Sequence, residues 1–130
     1  MRPMKNNYNN GLKAIYLLLN VGFIQVSFGQ DISAGKSVFS QCIACHSVES
    51  NVHQIGPSLA GIMNRKIGAV SDYRYSKALR STNGVWNQDT MNAFLENPQV
   101  AIPGNRMPYS GLSSSAERSA LIAYLATLKP

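Results

Sequence analysis

Five consecutive residues, Cys42-Ile43-Ala44-Cys45-His46, limit what this chain can become more than any other part of it. Two thiols three positions apart, followed at once by an imidazole, form the spacing with which a polypeptide takes up c-type haem. Each cysteine can add to one haem vinyl group as a thioether. The spacing sets both sulfurs on one side of a short helical turn, and the imidazole is then held against one face of the iron as its proximal ligand. A thiol redox pair is the competing reading of Cys42 and Cys45, but it requires a thioredoxin-like βαβ pattern. The helix-and-loop texture of this chain lacks one. The remaining sequence is therefore read for its ability to wrap a flat apolar plate.

The length of 130 residues suggests a single domain, and the first part reads as a leader. Arg2, Lys5 and Lys13 make a positive start, with no acidic residue before Asp31. Ala14 to Phe28 is mostly apolar but broken by Asn20 and Gln25, and is short for a membrane span. Ser27-Phe28-Gly29 offers small residues where a signal peptidase needs them. The expectation is a secretory signal peptide over residues 1–29, cleaved after Gly29, and a periplasmic domain over residues 30–130. An uncleaved membrane anchor is the alternative. Three of the twelve Lys and Arg lie in the leader, leaving nine against six acidic residues, so the pI of 9.6 overstates the basicity of the exported part. No run of cations supports nucleic-acid binding. Both cysteines lie in the motif, so no pair remains for a disulfide, and in a domain this small the haem takes the role of a staple.

Helical signals dominate the rest. Asp31 and Ser33 can cap a helix that carries Ala34, Val38 and Phe39 on one face and delivers the chain into the motif. Loop residues follow His46, among them Gly56-Pro57, and the Pro57 carbonyl can accept a hydrogen bond from the His46 ring, fixing it and making it a stronger donor. A short turn is expected over Tyr75–Leu79. A helix is expected over Gln88–Glu96, capped by Asn87, with Met91, Phe94 and Leu95 inward and Asn97-Pro98 as its stop. Ser114 and Glu117 read as a capping box for a last helix carrying Leu121, Tyr124, Leu125 and Leu128.

The distal iron face decides between gas or peroxide chemistry and electron transfer. Met63 and Met91 read as core packing, and His53, only seven residues from His46, as a solvated loop histidine. Met107 lies far along the chain in a stiff segment between Pro103-Gly104 and Pro108. Its thioether is the expected second axial ligand, giving a His46/Met107 centre that favours reduced iron.

Taken together, these parts resemble the class I cytochromes c over residues 31–129. The resemblance rests on the Cys42–His46 motif, Gly56-Pro57-Ser58-Leu59, Arg65-Lys66, Tyr75, Trp86 and Phe94-Leu95-Glu96-Asn97-Pro98. It continues through Ile102-Pro103-Gly104 and Met107 to Leu121-Ile122-Ala123-Tyr124-Leu125. It implies an all-α cytochrome c fold of three main helices, short helical turns and long loops around one covalent haem. It also implies terminal helices crossing at Gly35, Phe39, Leu121 and Tyr124, and haem propionates met by Arg65, Tyr75 and Trp86. The implied function is one-electron transfer by a monomer, without substrate chemistry. The donor would be a reductase complex or dehydrogenase and the acceptor an oxidase or similar protein. The haem subunit of a periplasmic dehydrogenase, or a weak peroxidase, is the alternative. Two departures stand out. Phe94 replaces a tyrosine common beside the methionine sulfur, and the lysine ring around the haem edge is thin, with Gln41, Ile43, Gln99, Val100 and Ser113-Ser114-Ser115 in its place. Weak dependence of electron-transfer rate on ionic strength is the expectation.

Overall fold

The structure is a computed structural model, and it describes Met1 and residues 31–130; beyond Met1 the expected leader and its cleavage point lie outside the described residues. Five helices run in order: α1 (Ile32–Phe39), α2 (Lys77–Ser81), α3 (Gln88–Glu96), α4 (Pro98–Ala101) and α5 (Ser115–Leu125). The described residues form no strand beyond an isolated bridge between Lys66 and Val85. None of their helices is long and apolar enough to cross a membrane.

The first and last long helices make the main contact. In α1 the Asp31 carboxylate accepts from Ser33 N–H at 2.9 Å and Ala34 N–H at 3.1 Å, supplying partners for donors that a helix start leaves free. One turn later Gly35 is buried, and a Cβ there would land on the Ala120 carbonyl oxygen of α5. Only glycine allows the two backbones this close. Phe39 and Tyr124 then pack with ring centroids 5.2 Å apart, and Leu121 and Ile122 are 2% and 1% exposed.

The caps differ in detail from expectation. The reciprocal capping box forms at α3, where Thr90 N–H donates to Asn87 Oδ1 and Asn87 N–H to Thr90 Oγ1, both at 2.9 Å. At α5 only half of the expected box forms: Glu117 N–H donates to Ser114 Oγ at 3.3 Å, with no return bond from the Glu117 carboxylate. Pro98 ends α3 as expected but also begins α4 at its first position, where a missing N–H costs nothing. Asn97 serves as C-cap of one helix and N-cap of the next.

One buried charge joins α5 to its surroundings. Arg118, 5% exposed, donates to the Leu112 and Ser113 carbonyls at 2.6 and 2.8 Å and to Asn92 Oδ1 at 2.8 Å, and pairs with Glu96 at 3.4 Å. A buried cation without such partners would be strongly destabilising. On the other side of the core, Asn64 N–H donates to Trp86 O at 2.7 Å and Trp86 N–H to Arg65 O at 2.9 Å, which fixes Arg65 beside Trp86.

Candidate haem site

A largely apolar cleft opens between these elements, and every residue expected to hold the haem borders it: Cys42, Cys45, His46 and Pro57, then Arg65, Tyr75 and Trp86, then Met107. Phe94, Leu95, Leu121 and Leu125 supply apolar wall from α3 and α5.

The motif is helical in its local geometry. After α1 the chain continues in tight turns, with Cys42 N–H on Phe39 O at 2.8 Å, and His46 N–H reaches back four residues to Cys42 O at 2.9 Å. Cys42 and Cys45 are free thiols, each half-buried. Burial, helped by the nearby Cys45, pushes the Cys42 thiol above its ordinary pKa.

The ring of His46 is fixed from two directions. Its Nδ1 lies 2.7 Å from Pro57 O. A carbonyl only accepts, so Nδ1 carries the proton and Nε2 keeps its lone pair free. Burial lowers the His46 pKa, opposed in part by the Pro57 bond, and the neutral imidazole is the form that coordinates metal. Gly56 closes the other side: a Cβ there would come within 2.7 Å of Nδ1 and 2.8 Å of Nε2. Gly56 N–H also donates to Cys45 O at 2.7 Å, tying the loop to the motif.

His53 is not the solvated loop histidine expected from sequence. Its Nδ1 accepts from Ser58 N–H at 2.9 Å, so its proton is on Nε2, which donates to Asp72 at 2.9 Å. Tyr73 packs edge-on against it and donates its hydroxyl to Ile55 O at 2.6 Å. The loop that carries Pro57 is thereby latched to the segment that carries Tyr75. A histidine within a polar loop gave no signal of this, because its partner lies nineteen residues away.

Met107 is held by a residue the sequence reading missed. Asn105, 6% exposed, donates through Nδ2 to Pro98 O at 2.8 Å and Ile102 O at 2.9 Å, and its Oδ1 accepts from Met107 N–H at 2.9 Å. One amide thus satisfies three backbone groups and stiffens the segment leading to the thioether. Met91 also borders the cleft, but from within α3 and 5% exposed, whereas Met63 packs partly buried against the core.

At another edge the groups are donors. The Arg65 guanidinium donates to Ala60 O at 3.0 Å and Ser58 O at 2.9 Å, and its Nε is buried with no partner. Burial lowers the Arg65 pKa and raises that of Tyr75, and each ionised group partly opposes the shift of the other. A buried N–H without an acceptor is costly, so an anionic group reaching this edge would complete the set. Thiols, imidazole, thioether, apolar walls and an orphaned cationic donor together fit a haem plate with its carboxylates.

The comparisons agree with this chemistry. The family model described as "Cytochrome c" matches residues 32–129. "Cytochrome c" of Gibberella zeae is 42% identical over 99 residues, covering 75% of this chain and 93% of that protein. "Cytochrome c2 iso-2" of Magnetospirillum molischianum is 41% identical, covering 70% and 94%. Among solved structures, cytochrome cH from Methylobacterium extorquens superposes with a TM-score of 0.70 at 35% identity, over 75% of this chain and 98% of that one. The chain therefore belongs to the cytochrome c family, an all-α electron carrier with covalently attached haem c.

Proposed function

We propose that Cys42 and Cys45 anchor one haem as thioethers, with His46 and Met107 as its axial ligands. When bound, the haem supplies a one-electron ferric–ferrous couple. The chain's own groups do the rest. Pro57 O holds the Nδ1 proton of His46 and so keeps Nε2 unprotonated and oriented. Asn105 holds the Met107 segment, so the sulfur changes position little when the charge at the site changes. Arg65, Tyr75 and Trp86 meet the propionates, and Phe94 with its apolar neighbours excludes water.

The His46–Pro57 bond beside a cleft that also receives Met107 is the observation that carries this reading. Filled axial positions leave no open face for substrate, so the protein passes electrons rather than making or breaking substrate bonds. It does so as an exported, periplasmic monomer of residues 30–130, released from a leader over residues 1–29. It receives electrons from a reductase complex or dehydrogenase and delivers them to an oxidase or similar acceptor. Optical spectra of the purified protein test the ligand set. The weak near-infrared band of a methionine sulfur on ferric haem is expected in wild type and in Met91→Leu, and lost in Met107→Ala. An absent band in wild type, with ready binding of carbon monoxide, overturns the assignment.

A further inference from the structure

The thin lysine ring hides a concentration of charge elsewhere. Four of the nine Lys and Arg in residues 31–130, namely Arg74, Lys77, Arg80 and Arg106, line a second, polar cavity. Chain order conceals this, because Arg106 lies more than twenty residues from the other three. Among the described residues the carboxylate ion pairs are His53–Asp72 and Arg118–Glu96, so none of the four has an acidic partner. No Asp or Glu lines the cavity.

Two of these side chains are pre-set by the backbone. Arg80 Nη1 donates to Tyr75 O at 2.6 Å, and Arg106 Nη2 donates to Arg74 O at 2.9 Å. Each guanidinium has five N–H groups, so several donors on each remain for a ligand. Fixed arginine forks around a concave polar surface suit an oxyanion, which they can bind bidentately. Mutual repulsion among four unpaired cations adds to the attraction for negative charge. The position matters as well: Arg74, Tyr75, Ser76 and Arg106 line both this cavity and the haem cleft.

We propose that Arg74, Lys77, Arg80 and Arg106 form a binding site for a polyvalent phosphate-type oxyanion, free in solution or carried on a lipid headgroup, whose occupancy lowers the haem potential. An added negative charge beside the cleft opposes reduction, so the anion binds the oxidised protein more tightly, and by linkage binding favours oxidation. This inference goes beyond the electron-carrier reading and does not depend on which residues ligate iron.

Titration calorimetry of the holoprotein with pyrophosphate, with ionic strength held constant by chloride, tests the free ligand. Sedimentation with phosphatidylglycerol vesicles, against phosphatidylcholine vesicles, tests the headgroup. Lys77→Gln/Arg80→Gln is expected to weaken binding at least tenfold in whichever arm responds, and that arm names the source. About threefold tighter binding to the ferric protein is expected, equivalent to a fall of about 28 mV at saturating anion. No saturable binding in either arm, or equal binding by the double variant, overturns the site. Equal affinity for both redox states overturns the coupling. Absence of the methionine band would instead count against the ligand set alone.

Discussion

The two loops that bring His46 and Met107 to the cleft are held in different ways. Around His46 the restraints are many and spread out. Gly56 N–H bonds to Cys45 O, Leu59 N–H to Ser47 O, Ser58 Oγ to Glu49 O, and His53 spans to Asp72. Around Met107 a single side chain, Asn105, makes three of the bonds that order the segment. Distributed restraints survive the loss of any one, whereas a hub does not. The Met107 side is therefore the part of the site that opens first, on the principle that local opening begins where fewest interactions must be lost.

The largest effect should come from attacking the His46 side at its one intolerant point. Gly56→Ala forces a methyl into the imidazole, and it should cost about 3 kcal/mol of stability by overpacking and disturb the His46–Pro57 bond. Denaturant unfolding followed by haem absorbance measures both, and a change below about 1 kcal/mol would mean that the ring has room to move. Next comes the hub. Asn105→Ala leaves Met107 N–H without its partner and removes the second donor from Pro98 O and Ile102 O, each of which keeps a backbone N–H, and should cost about 2 kcal/mol. The near-infrared band should also weaken at temperatures where wild type retains it, and equal loss of the His46-side signals would erase the contrast.

Smaller changes sharpen the comparison. Phe94, 7% exposed and edge-on to Trp86 with centroids 5.0 Å apart, brings no hydroxyl to the cleft. Phe94→Tyr should shift the potential and the alkaline transition; superimposable redox and alkaline titrations of the two proteins would count against a role for this position. The least effect belongs to the outer latch. The hydrogen bond from His53 holds the Asp72 carboxyl below its ordinary pKa of 3.8. A carboxylate whose pKa is lowered by folding adds stability above the unfolded value, and that stability is lost as pH falls through the folded value. Asp72→Asn should thus lower stability slightly at neutral pH, and the difference from wild type should vanish with acidification below pH 3.8. Equilibrium unfolding across pH measures this. A difference that persists in acid would place the latch's contribution elsewhere.

What was legible in the sequence was local chemistry. Asp31, Asn87 and Ser114 act within three residues of themselves, and the helices they begin lie where spacing puts them. The groups that line the cleft were legible through the motif and the family resemblance. What escaped depends on distance or on double use. Asn105 sits among proline and glycine and reads as a turn residue, yet its amide is an interior hub. Pro98 reads as a stop and is also a start. Arg118 lies three, four and seven residues before Leu121, Ile122 and Leu125, on the buried face of its helix, and what its charge hides is that the carbonyls of Leu112 and Ser113 meet it there. The basic cavity is assembled from two separate segments that sequence alone does not pair.

The close approach of Gly35 to Ala120 also makes the cleft depend on the two ends of the described chain meeting. The cleft cannot close until α5 packs on α1, and Ser115 begins that helix 70 positions after Cys45. A contact over so long a separation carries a large loop-closure entropy. Until α5 is in place, the two thiols stay uncovered on that side, and the packing of α5 on α1 completes the wall around them.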